Sequence, residues 1–211
     1  IPSDVPYLKV PTPISHHWRE KLIAASPKRL KVGIAWAGRA VHQYDSRRSL
    51  QFDQILPLLQ VPFITWVSLQ KWMPQDVRPS IPETVDWIDW TDDLQDFGDT
   101  AALVQNLDLI ISIDSSMVHL AGALNKPVWM LNRFDSEWRW LNQRVDSPWY
   151  PSMRIFNQPA FGDWTSVISA VVNELQQLPR SEDAAVPRHQ SVVQPQSIAA
   201  EMPAAAPQNT L

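Results

Sequence analysis

The 211-residue chain contains no cysteine. That excludes disulfides, thiol nucleophiles and thiolate metal sites, and it fits a reducing compartment. Only five glycines occur, at Gly33, Gly38, Gly98, Gly122 and Gly162, so few turns can rely on positive φ. No apolar run approaches the ~20 residues of a membrane-spanning helix, and no transmembrane segment is expected. The opening residues, IPSDVPYLKVPTP, lack the basic region and apolar core of a signal peptide. They also lack an initiator Met, so the chain reads as part of something longer. Basic charge is in deficit, with a net charge of −4, which gives no footprint for nucleic acid. What is abundant is proline (19) and tryptophan (11), every Trp falling between Trp18 and Trp164.

Apolar periodicity divides the chain into alternating strands and helices. Strands are expected at Lys31–Trp36, Phe63–Leu69, Val85–Ile88, Leu107–Ile113, Val128–Leu131 and Met153–Phe156. Helices are expected at His16–Ala25, Ser49–Leu59, Asp99–Leu107 with an Asp or Thr cap, Met117–Leu124 and Trp164–Leu178. Alternation of this kind implies a parallel sheet with crossover helices, an α/β fold of Rossmann type. Residues 1–17 read as an extended Pro-rich stretch, so that 1–30 form a lead-in with a short helix. Residues 31–178 read as one Rossmann-like domain. Residues 179–211, rich in Ala, Pro and Gln and without aromatics, bury too little apolar area to offset ordering entropy and are expected to be disordered.

In a Rossmann topology the first and fourth strands are neighbours at the switch point. Their carboxyl ends carry Trp36-Ala37-Gly38-Arg39 and Asp114-Ser115-Ser116, so two polar loops face one crevice. Gly33-x-x-x-x-Gly38 is neither G-x-G-x-x-G nor a Walker motif, which disfavours a nicotinamide dehydrogenase or P-loop ATPase. Arg47-Arg48-Ser49, ahead of a predicted helix, suits phosphate clamping; a solvated basic turn is the alternative. Asp114, Ser115, Ser116 and His119 open another helix, as anion ligands or as a cap with a core histidine. Gln70 and Lys71 could reach the crevice or lie in a surface loop. Asp92-Asp93, near Asp89, could hold Mg²⁺ or form a solvated acidic loop. Trp138, Trp140 and Trp149-Tyr150 could stack on a base or sugar, or fill a core. No zinc spacing and no G-x-S-x-G elbow occurs.

KVGIAWAGR (31–39), RRSL (47–50), SLQK (68–71), DFGDTAALVQNLDLIISIDSSMVHLAGALNKPVW (96–129), WRWL (138–141) and DSPWYPSMRIF (146–156) occur in an order that resembles the carboxy-terminal half of a GT-B glycosyltransferase. The resemblance is to the heptosyltransferase-like family nine, as found in bacterial proteins with tetratricopeptide repeats ahead of such a domain. It implies one half of a GT-B fold that binds a nucleotide-sugar such as an ADP- or UDP-sugar, without a bound cofactor or metal, in an inverting transfer. Gly38 and Arg48, with Arg39 and Arg47 beside them, would lie near the phosphates. Ser115, Ser116 and His119 would line the donor site beside Asp114, and the segment carrying Asp99 and Thr100 would approach base or ribose. Relatives usually have Gly or Ala where this chain has Ser116. The implied setting is cytoplasmic, with a glycan, lipid or protein acceptor handled by a separate amino-terminal domain. The competing expectation is a non-catalytic interaction or regulatory module derived from such a domain.

Overall fold

In a computed structural model of the chain, the described residues are 4–27, 29–39, 45–141 and 144–179. Of the tail expected to be disordered, 179–211, residues 180–211 lie outside them. Six strands form one parallel sheet: β1 (Leu30–Ala35), β2 (Ile64–Ser68), β3 (Trp87–Ile88), β4 (Leu109–Ile113), β5 (Val128–Asn132) and β6 (Met153–Asn157). Their spatial order is β3-β2-β1-β4-β5-β6, the Rossmann order expected from the alternation. β1 pairs β4 in parallel with Ile34 opposite Ile111 and Ala35 opposite Ser112. Their carboxyl ends therefore finish side by side.

Helices cover both faces, which is why the central strands are buried throughout rather than alternating. β2 and β4 have every residue buried. On one face α1 (Thr12–Ala25), α4 (Phe97–Gln105) and α5 (Ser116–Ala123) enclose Trp18, Leu22, Leu103, Ile110, Val118, Trp140 and Tyr150. On the other, α3 (Phe52–Leu59) and α6 (Trp164–Gln177) pack over Val32, Ile34, Trp36, Ile55, Trp66, Ile111 and Val171. α2 is a single turn, Asp45–Arg48.

Three element boundaries correct the sequence expectation. α1 begins at Thr12 rather than His16, because Pro13 occupies the first turn, where its missing N–H leaves nothing unsatisfied. The helix expected at Ser49–Leu59 starts only at Phe52, and a separate single turn, α2, precedes the expected range. Leu50 N–H donates to the Trp36 carbonyl at 2.9 Å and Gln51 is extended (φ −80°, ψ 156°), so the backbone is tied to β1 before α3 can start. Finally, α4 is capped by Asp96, not Asp99 or Thr100. The Asp96 carboxylate accepts from Gly98 N–H at 2.7 Å and Asp99 N–H at 3.0 Å, and Asp99 lies inside the helix.

Candidate functional site

β4 ends at Ile113, and the chain turns into α5 through Asp114 and Ser115. Ser115 is extended (φ −147°, ψ 176°) and its side chain accepts from Met117 N–H, which makes it the N-cap. Its Oγ also lies 3.1 Å from Ser112 Oγ, while Ser112 Oγ donates to the Ile113 carbonyl at 2.9 Å. The cap is thus anchored to the strand. The capping reading of Ser115 is the one observed; a helix start of this kind is also where free amides can face an anion.

Arg48, the last residue of α2, reaches across the switch point. Its Nη1 donates to the Asp114 carbonyl at 2.9 Å and its Nε to Asp45 Oδ1 at 3.3 Å. Gly38 makes this approach possible. A Cβ there would overlap the Asp45 carboxylate and the Arg48 guanidinium, and Gly38 N–H donates to Ser49 Oγ at 2.9 Å. The β1 loop and the β4 loop are therefore joined through one guanidinium.

A crevice of about 150 Å³ opens at this junction, lined by Arg48, Asp114, Ser115, Ser116, His119, Arg133, Glu137 and Arg139. Three guanidiniums face two carboxylates, so the lining is net positive. Arg133 is 7% exposed, and Glu137 lies 3.6 Å from it and 3.8 Å from Arg139. One acidic side chain holds two arginines that would otherwise repel each other. Ser116 is exposed at the start of α5.

His119, one turn into α5, lines the same crevice while packing inward. Its ring stacks on Trp140 at 5.1 Å between centroids and 24° between planes, and its Nδ1 lies 3.0 Å from Tyr150 Oη. Burial pushes its pKa below the ordinary value; the nearby Asp114 carboxylate opposes this and Arg139 adds to it. Burial and the neighbouring Tyr7 phenol hold the Tyr150 hydroxyl well above the usual tyrosine value. The core reading of this histidine is seen in its packing on Trp140, while the same ring also lines the crevice.

The other sequence candidates do not line the crevice. Gln70 is buried and spans the ends of β1 and β2, with Oε1 accepting from Trp36 N–H at 3.2 Å and Ala37 N–H at 3.0 Å. Lys71 Nζ donates to the carbonyls of Thr91 and Leu94 at 3.0 and 2.9 Å. Asp99 accepts from Gln95 N–H, and Thr100 Oγ1 donates to the Asp96 carbonyl. Arg39 is exposed. Arg47 pairs with Asp135 at 2.9 Å, next to the crevice loop but outside the lining. Asp92 and Asp93 are engaged by Arg78 and Lys21, and among the described residues no three His, Cys, Asp or Glu side chains gather as a metal site. Of the aromatic cluster, Trp140 is fully buried and Trp138 is 69% exposed.

Arg133, Glu137 and Arg139 were not singled out from the sequence. They follow β5, and β5 pairs β4 with Ser112 opposite Met130, so their loop emerges beside Asp114. A cluster of charges immediately past a predicted strand end was the available signal.

Residues 95–157 match the family described as Glycosyltransferase family 9 (heptosyltransferase). Among curated proteins, Protein FlbA of Caulobacter vibrioides is 30% identical over 163 residues, covering 75% of this chain but 27% of FlbA. The chain spans little more than a quarter of that relative's length. The glycosyl transferase family 9 structure from Veillonella parvula superposes with a TM-score of 0.54 at 14% identity, over 81% of this chain and 54% of that one. E. coli ADP-heptose lps heptosyltransferase II superposes with a TM-score of 0.51 at 14% identity, over 83% of this chain and 55% of that one. The matched segment holds every crevice residue except Arg48. The chain therefore has a glycosyltransferase family 9-like, GT-B-like α/β fold, with the family match centred on β4, α5 and β5.

Proposed function

We propose that the crevice binds the diphosphate of a nucleotide-sugar, and that the chain is the donor-binding part of an inverting, metal-independent glycosyltransferase. One observation carries this reading. Arg48, Arg133 and Arg139 converge on the amino terminus of α5 at the sheet's switch point, where amides and helix dipole favour an anion. Guanidinium forks match phosphate oxygens bidentately. As the sugar–phosphate bond breaks, negative charge builds on the leaving diphosphate, and fixed positive groups stabilise it more in the transition state than in the ground state. Guanidiniums in that role perform the charge neutralisation that other transferases assign to a metal.

The acceptor, a glycan, lipid or protein, and the base that deprotonates it belong in this reading to a further domain, in a protein that carries tetratricopeptide repeats. Among the described residues no helix is long and apolar enough to cross a membrane. Calorimetric titration with ADP- and UDP-sugars tests the proposal. Binding is expected for the intact chain and is expected to weaken in Arg48→Ala and Ser115→Ala. Absence of binding, or binding indifferent to both substitutions, refutes it and leaves a non-catalytic module as the better account.

A further inference from the structure

Tyr150 lies outside the crevice lining, yet it is built into the position of His119. Its ring lies flat against α5 at Gly122, where a Cβ would collide with Tyr150 Cγ, Cδ1 and Cδ2. His119 and Gly122 are three residues apart on one helix face, so the phenol that packs on Gly122 reaches back one turn. It ends 3.0 Å from His119 Nδ1. On its other side, Tyr7 Oη lies 3.3 Å from Tyr150 Oη. Tyr7 is itself tied to α5, because Tyr7 N–H and Leu8 N–H both donate to the Ala123 carbonyl at 3.1 and 3.3 Å. Trp140 stacks on one face of the imidazole.

We propose that Tyr150, braced by Tyr7 and seated on Gly122, is a positioning residue that holds neutral His119 with its proton on Nε2, so that the crevice is offered an N–H donor rather than a base. The proton bookkeeping follows from donor and acceptor strength. A phenol is a stronger acid than a neutral imidazole N–H, and an imidazole nitrogen is a stronger acceptor than a phenol oxygen. The favoured chain therefore runs from Tyr7 O–H to Tyr150 oxygen, and from Tyr150 O–H to His119 Nδ1. Nδ1 accepts, so the ring proton sits on Nε2, which has no hydrogen-bond partner among the described residues.

The charged groups around the ring agree with a neutral form. Burial disfavours a proton, Asp114 favours one, and Arg139 adds to burial, so that the neutral form is favoured on balance. Arg48, Arg133 and Glu137 line the remainder of the crevice. A neutral N–H donor beside three guanidiniums complements a phosphate or sugar oxygen without adding another repelling cation. This role in ligand binding rests on the nucleotide-sugar reading; the tautomer itself does not.

Nitrogen-15 NMR of the full chain, resolving the two imidazole nitrogens of His119, decides the tautomer without any ligand. Protonated Nε2 and bare Nδ1 are expected in the wild type. Tyr150→Phe is expected to give a mixture of tautomers with the amide spectrum otherwise preserved, and Tyr7→Phe a smaller change in the same direction. A proton on Nδ1 in the wild type, or a tautomer indifferent to Tyr150→Phe, overturns the proposal. ADP-sugar and UDP-sugar titrations form the second arm. His119→Gln, whose amide nitrogen can occupy the Nε2 position, should retain most of the affinity, whereas His119→Asn, which replaces Nδ1, should lose several-fold. Equal loss in both overturns the donor role. If no nucleotide-sugar binds the wild type while the tautomer follows Tyr150, the donor-binding reading fails and the positioning of His119 stands.

Discussion

Gly38→Ala tests the joint between the two loops without removing any functional group. The added methyl meets the Arg48 guanidinium and the Asp45 carboxylate, so one of them must leave its place. Arg48 is the longer and more adaptable side chain, and its side chain is 17% exposed, so it has solvent to move into. Its displacement breaks the 2.9 Å bond to the Asp114 carbonyl and the pairing to Asp45. A charge-assisted hydrogen bond contributes about 1.5–3 kcal/mol. If Arg48 also serves the ligand, affinity for a nucleotide-sugar falls by at least roughly tenfold, since every 1.4 kcal/mol is about a factor of ten. The assay is calorimetric binding to wild type, Gly38→Ala, Arg48→Ala and the double variant, with urea unfolding run in parallel. Because the methyl acts through Arg48, the double variant should bind like Arg48→Ala alone. Additive losses would mean that Gly38 and Arg48 act independently, and undiminished binding by Gly38→Ala would refute the geometry from which the loss was worked.

Further outcomes are expected from other parts of the molecule. Trp140→Ala should destabilise the fold by about 3–5 kcal/mol in urea unfolding, the range for emptying a buried aromatic site, because Trp140 is fully buried; near-neutral stability would refute its place in the core. Burial holds the folded pKa of His119 below its ordinary 6.5. The unfolded chain therefore takes up the proton first as pH falls below that value, and stability declines toward acid. His119→Gln should flatten the slope of unfolding free energy between neutral and mildly acid pH, and an unchanged slope would show that His119 does not carry it. EDTA should leave nucleotide-sugar affinity unchanged in calorimetry; a marked loss would point to a metal in the donor site. Gly33→Ala should cost about 1–3 kcal/mol by overpacking, since its Cβ would meet Leu69 Cδ1 at 2.6 Å and Leu107 Cδ1 at 2.7 Å, and scanning calorimetry will show the lower Tm.

Much of the site was readable before folding was considered. Asp114 and Ser115 stand between an apolar run and a helix that opens with Ser116 and carries His119 one turn in, and that pattern places the group at a strand's carboxyl end. Arg48 could be suspected from its place ahead of a helix. Gln70 and Lys71 illustrate the limit. They follow β2 as Asp114 follows β4, but their polar ends are consumed by backbone groups of Trp36, Ala37, Thr91 and Leu94. Sequence position marks a side chain as near the crevice edge of the sheet. It does not say whether a neighbouring loop will claim its hydrogen bonds first.

The chain's own pattern determined the fold class, the adjacency of the first and fourth strands expected of that class, and the end of the sheet at which a site could form. Those follow from apolar periodicity and from the handedness of parallel crossovers, which are local and general. Only the tertiary structure decided the site's composition. β5 lying beside β4 brought Arg133, Glu137 and Arg139 to Asp114, and the flat seat at Gly122 brought Tyr150 to His119. Such contacts join residues distant in sequence through packing of whole elements, and no spacing within the chain encodes them.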